Sequence, residues 1–233
     1  MIVLLSWVLV VGALSVATFI ATPARGGLYF LSYAVLGATI FGVALPVYWT
    51  LIKKKDGLKK LGITTKNLKI SILAQLILTV VVYFSKVNVL FDQNFSSLFP
   101  LIALALAIGL FEAIFWRGWV LTKLEDSFGT IPAIILGSAA YSLYHVGYGM
   151  DWSEMLFLFF IGIMFAVLFV IFRNIFVLWP IYQPTGQLLT ITKDGLALPL
   201  IASVGFFEVL LAMGIFIFFM NRYTNKKNAK TSS

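Results

Sequence analysis

Cysteine is absent from the 233 residues, which excludes disulfides, thiolate metal sites and a cysteine nucleophile. Histidine occurs once, at His145. One histidine without cysteine does not make a catalytic zinc site, which takes three protein ligands and usually two or three histidines, so neither a metal nor a cofactor is expected. Charge is scarce, at 11% of residues, and no internal repeat of fixed period is visible. What fills the chain is apolar: 61% of residues are hydrophobic and mean hydropathy is +1.01, against roughly 45–50% apolar content in soluble domains. Apolar runs follow one another through short connections, leaving no room for a separate soluble domain. The expected fold is all-α, a polytopic transmembrane helix bundle of about eight spans, with residues 1–221 as one domain and 222–233 as a basic cytoplasmic tail.

The spans are expected at about 2–21, 28–52, 70–90, 98–123, 132–148, 154–172, 174–191 and 196–220. The first is longer than a signal-peptide core and is read as a retained helix. A turn follows at Thr22-Pro23-Ala24-Arg25-Gly26-Gly27. Lys53, Lys54, Lys55, Lys59, Lys60, Lys66 and Lys69 crowd the second connection, which the positive-inside rule places in the cytoplasm. The bland reading of those lysines is a topogenic loop and nothing more. Eight spans with both termini cytoplasmic, in a cell membrane, put nearly all Lys and Arg on one side, with Arg25, Lys86 and Lys193 as exceptions. The formal charge of +8 then reflects topology, and no nucleic-acid partner is expected. The expected partners are membrane lipid and a peptide or membrane-protein substrate; the oligomeric state is not legible.

Ionisable residues inside membrane spans are costly and mark function by default. Glu112 lies near the middle of span four, within Phe111-Glu112-Ala113-Ile114-Phe115-Trp116-Arg117-Gly118. On a regular helix Arg117, five residues on, points some 140° away from Glu112, at 100° per residue. It reads either as snorkelling to the inner interface or as holding the site. Glu112 itself reads as a catalytic base or as a helix-packing carboxyl. In the next span Tyr141 and His145 form an i, i+4 pair, beside Gly137-Ser138-Ala139-Ala140, a run small enough to admit a close neighbour. Glu112 and His145 together can activate water, the carboxylate taking a proton and the imidazole orienting the water or passing the proton on; alternatively His145 is an interhelical hydrogen-bond donor. On the span boundaries above, His145 lies about 20 Å from the inner end of its span at 1.5 Å per residue, whereas Glu112 is nearer mid-membrane. Gln183 and Gln187 form another i, i+4 pair, flanking Pro184. Their amides either donate to an oxyanion or mend a backbone broken by Pro184, which would leave the Pro180 carbonyl unpaired. Glu208 is read as a second buried carboxyl, in the last span.

At these residues the sequence resembles the CPBP family, the intramembrane CAAX prenyl proteases and bacteriocin-processing enzymes. Their motifs are Glu-Glu-x-x-x-Arg in one span, Phe-x-x-x-His in the next and a later His-x-x-x-Asn. Glu112 to Arg117 matches the first motif with Ala113 in place of the second glutamate. Tyr141 to His145 matches the second with tyrosine for phenylalanine. The basic loop ending Leu61-Gly62-Ile63 and the eight-span layout are also similar to the family's. The resemblance implies that Glu112 and His145 activate water for peptide-bond hydrolysis. The third motif, which it assigns to oxyanion stabilisation, falls on Pro184 and Leu188 in one register and on Gln183 and Gln187 in the other. Neither register holds a histidine.

The leading expectation is therefore a metal-independent intramembrane endopeptidase with Glu112 and His145 catalytic, and Arg117, Tyr141, Gln183 and Gln187 supporting. The alternative is a non-catalytic relative that binds a peptide or membrane partner, in immunity or regulation. A third class, a small transporter or channel using Glu112, Glu208 and His145, lacks the paired broken helices typical of such folds.

Overall fold

A computed structural model describes residues 1–20 and 26–231, leaving aside the side chains of 20, 26 and 228–231. The turn expected at Thr22 to Arg25 lies outside the described residues. Eight principal helices follow one another: α1 (Ile2–Ile20), α2 (26–53), α3 (Leu68–Tyr83), α4 (Phe95–Phe128), α5 (Thr130–Tyr144), α6 (Trp152–Phe172), α7 (Tyr182–Lys193) and α8 (Ala202–Thr231). The described residues contain no strand. Six of the eight, all but α5 and α7, are long and apolar enough to cross a membrane.

α4 is the axis of the bundle. Between Leu101 and Thr122 most of its residues are buried, and from Gly109 to Thr122 all are. The other helices except α7 bury only a stripe and turn Leu, Ile, Val or Phe outward, as lipid-facing helices do. Small residues set how closely the neighbours approach. Gly162 of α6 lies over Ser138 of α5, where an added Cβ would stand 3.1 Å from the serine Cβ; this is the small-residue run the sequence marked. Gly109 lets the first turn of α7 reach α4, since a Cβ there would meet Pro184 Cγ at 2.8 Å. α1 is fastened by two indoles, Trp7 Nε1 donating to the Ala140 carbonyl at 2.9 Å and Trp119 Nε1 to Ser6 Oγ at 3.1 Å.

Three expectations about the helices are corrected. α4 does not end at Lys123 but continues to Phe128, and the expected exit loop shrinks to Gly129, whose φ of 82° and ψ of 173° break the helix. Acidic residues at a helix C-terminus oppose its dipole. Here Glu125 is paired with Arg173 at 2.5 and 2.7 Å and Asp126 with Lys60 at 2.6 Å, which compensates. The seventh crossing is not a helix from Asn174: a 3₁₀ turn at Ile175–Val177 and irregular backbone lead to α7, which starts only at Tyr182. Pro184 therefore sits in the first turn, where backbone amides have no intrahelical partner, and Pro180 precedes the helix, so no helical bond is broken. Glu208 is exposed on the outer face of α8, because the buried stripe runs through Phe206, Val209 and Met213.

The lysine-rich connection is not a free loop. Leu61 is fully buried, and the backbone at Leu61 packs on Gly118 so tightly that a Cβ at 118 would strike the Leu61 carbonyl. Gly62 adopts φ 71°, with the Phe169 ring filling the space a side chain would need. Asn174 Nδ2 donates to the carbonyls of Thr64 at 3.0 Å and Lys66 at 2.8 Å, and the Ile175 amide donates to the Gly62 carbonyl at 3.1 Å. At the other end of the bundle α6 opens with a capping box: the Glu154 amide donates to Asp151 Oδ1 at 2.9 Å and the Asp151 amide to Glu154 Oε2 at 3.1 Å. The Glu154 amide, with the Ser153 hydroxyl, holds the Asp151 carboxyl below its ordinary range.

Candidate active site

Glu112 lies at mid-length of α4, about 25 Å from either end at 1.5 Å per residue, and is 3% exposed. Immediately after it, α4 winds as a π-helix over Ala113–Leu121. A π-turn brings residues i and i+5 together, as an α-turn does i and i+4, so the 140° expected between Glu112 and Arg117 does not hold. Arg117 is turned into the bundle at 1% exposure, which overturns the snorkelling reading. Its guanidinium lies 4.8 Å from the Tyr141 ring centroid and 5.7 Å from that of Phe165, with Glu112 and Tyr141 as its electrostatic neighbours. The cation is thus held by ring faces, and its Nη1 has no hydrogen-bond partner.

Gln183 and Gln187 project from the first two turns of α7, and both aim their amides at one atom. Gln183 Nε2 donates to Glu112 Oε2 at 2.6 Å and Gln187 Nε2 to the same oxygen at 3.0 Å. Pro184, between them, faces Gly109 instead. Neither role foreseen for the amides is the one observed, since they hold the carboxylate. Their own carbonyl oxygens, Gln183 Oε1 and Gln187 Oε1, are buried without partners, as is Trp116 Nε1. Unsatisfied buried polar atoms are rare in native interiors, and here four of them, with Arg117 Nη1, belong to the residues around one carboxylate.

His145 arrives at the same level. Glu112 precedes Gly129 by 17 residues and His145 follows it by 16, so the α4–α5 hairpin pairs them in depth, and Tyr144 packs on Phe111 and Trp116 with ring centroids 6.3 and 5.2 Å apart. The depth mismatch expected from sequence arose from ending α4 five residues early. His145 is 6% exposed, and its Nδ1–H donates to the Tyr141 carbonyl at 2.9 Å, which leaves the lone pair on Nε2. No hydrogen bond joins Glu112 to His145 among the described residues. Tyr141 touches both: its ring is 5.0 Å from the imidazole and its hydroxyl is a polar neighbour of the Glu112 carboxyl.

Four residues of this region escaped the sequence reading. Gln75, fully buried in α3, accepts the Ile181 and Tyr182 amides on Oε1 at 2.9 and 3.4 Å and so caps the start of α7 just before Gln183. The signal was available, as Gln75 is the one amide side chain in the apolar run of α3. Tyr33 of α2 and Tyr148 join Tyr144 in a triangle of hydroxyls, Tyr33 to Tyr144 at 3.1 Å, Tyr144 to Tyr148 at 3.0 Å, and Tyr33 to Tyr148 directly. The i, i+3, i+7 spacing of Tyr141, Tyr144 and Tyr148 was legible; the partnership of Tyr33, more than a hundred residues away, was not.

Fold and site together define a multi-pass membrane protein, a helical bundle built around a buried carboxylate. No cluster of three or more potential metal ligands occurs among the described residues. Residues 94–182 match the family model described as type II CAAX prenyl endopeptidase Rce1-like. The matched segment carries Glu112, Arg117, Tyr141 and His145 and stops one residue before Gln183. No curated protein and no solved structure matches the chain.

Proposed function

We propose that the chain is an intramembrane endopeptidase of the CAAX-protease type, in which Glu112 is the general base for water attack on a peptide bond near the membrane. The observation that carries this reading is the buried Glu112 carboxylate, oriented through Oε2 by two amides. Held so, the carboxylate takes a proton from water while His145, its Nε2 lone pair free, orients that water or passes the proton to the leaving amine. Arg117 Nη1 and Trp116 Nε1, buried donors without a partner, are assigned in this scheme to meet the developing oxyanion. No metal enters this scheme.

A second reading, a non-catalytic protein that binds a peptide or membrane partner, is favoured by the same convergence. Two amides on one carboxylate oxygen, with no histidine in the third motif, also describe a site adapted to holding its shape. Purified protein cleaving a susceptible membrane peptide separates the two. The peptidase reading expects cleavage that survives chelators and falls about a hundredfold or more in Glu112→Gln, the scale of a lost general base. Cleavage unchanged in that variant overturns it; no cleavage by the wild type, with partner binding retained in Glu112→Gln, supports the binder.

A further inference from the structure

The lysine-rich connection carries more than a topology signal. A signal for orientation needs charge near a span and no particular shape, whereas this segment has a fixed frame. Leu61 is buried against Gly118, Gly62 is locked under Phe169, and Asn174, itself fully buried, clamps the carbonyls of Thr64 and Lys66. On that frame stand Lys53, Lys54, Lys55, Lys59, Lys66 and Lys69, all exposed and none in an ion pair. The charges that have protein partners are others: Lys60 and Lys123 with Asp126, and Arg173 with Glu125. The connection's only acid, Asp56, is outnumbered six to one by the unpaired lysines. Six cations without counterions, held at the end of α2 and the start of α3, face the level of lipid headgroups if those helices cross a membrane.

We propose that this framed lysine cluster is a binding site for anionic phospholipid headgroups, which supply the missing negative charge. Basic clusters beside a membrane helix gain attraction from acidic lipid with each lysine near the surface, and a fixed frame spares the ordering cost a flexible loop would meet on binding. Because Leu61 rests on Gly118, the residue after Arg117, headgroup binding bears on the segment that positions the candidate site. This inference does not depend on whether the site cleaves peptides.

The test reconstitutes the full chain in phosphatidylcholine vesicles containing trace spin-labelled phosphatidylglycerol or spin-labelled phosphatidylcholine, and reads the motionally restricted fraction of each label. We expect a several-fold preference for phosphatidylglycerol that weakens with salt. The preference should vanish when all six lysines become glutamine, persist when all six become arginine, and persist in K86Q/K193Q, which removes charge from the opposite end of the bundle. If the sixfold variant fails to insert, the pairs K53Q/K54Q and K66Q/K69Q should each lower the preference by part of the same amount. Asn174→Ala, which keeps every lysine but releases the frame, should reduce it at least by half. Equal restriction of the two lipids by the wild type overturns the proposal, as does a glutamine series that keeps the preference; that result would leave the cluster to topology or to an acidic protein. Full preference in Asn174→Ala overturns the built site.

Discussion

At the scale of single residues the site is a set of polar atoms with few alternatives. Glu112 Oε2 accepts both Gln183 and Gln187, so Gln183→Leu removes one charge-assisted bond from a buried carboxylate. We expect a loss of about 1.5–3 kcal/mol, the range for hydrogen bonds to charged groups, measured by reversible unfolding in mixed micelles. Gln187, only half-buried, should cost less. Arg117 is held by the faces of Tyr141 and Phe165, and Arg117→Met tests whether charge or volume matters there. A role with substrate expects intact folding and lost activity; a packing role expects little change in either. Trading a buried cation for an apolar group of similar size is often neutral for stability, so the two readouts separate.

At the scale of elements, two local departures from the α-helix build the site. The π-turn over Ala113–Leu121 swings Arg117 to the side of Glu112, and the late start of α7 aims Gln183 and Gln187 across at α4. Gln75 holds that start by accepting the Ile181 and Tyr182 amides. Gln75→Leu leaves both without a side-chain acceptor, each unsatisfied buried group costing about 1–3 kcal/mol; faster hydrogen exchange at 181 and 182, with α4 unchanged, would check the assignment. Gly118→Ala drives a Cβ into the Leu61 carbonyl. Because backbone cannot rotate away as a side chain can, we expect about 1–3 kcal/mol of overpacking cost and faster proteolysis within the lysine-rich connection.

For the whole molecule the prediction concerns sidedness. The connection at 53–67, the α4–α5 turn and Arg173 lie at one end of the bundle, tied together by the Lys60–Asp126 and Arg173–Glu125 pairs, and α8 ends in Arg222, Lys226 and Lys227. Asp92, Asp151, Glu154 and Asp194 occupy connections or helix ends on the other side. The chain has no cysteine, so single substitutions can be labelled without removing anything. In intact cells an impermeant maleimide should label Asp151→Cys and Gly195→Cys and spare Lys55→Cys and Lys226→Cys until the membrane is opened. Labelling of all four alike would sink this arrangement.

The helical class was determined by composition and by the lengths of the apolar runs, because burying backbone in lipid leaves helices as the economical solution, whereas of the eight spans expected only six are helices long and apolar enough to cross a membrane. The hydrophobic pattern could not reveal how the helices meet. A regular helix separates Glu112 from Arg117, and only the π-turn, which no hydropathy pattern encodes, reunites them. An early end for α4 offset His145 in depth, and only the single-residue turn at Gly129 brings it level. Gln183 and Gln187 were visible as a pair, but their common target was decided by Gly109, Pro184 and Gln75, contacts between segments far apart in the chain. Local residue choice specifies which groups are available for chemistry, whereas packing between helices decides which of them share an atom.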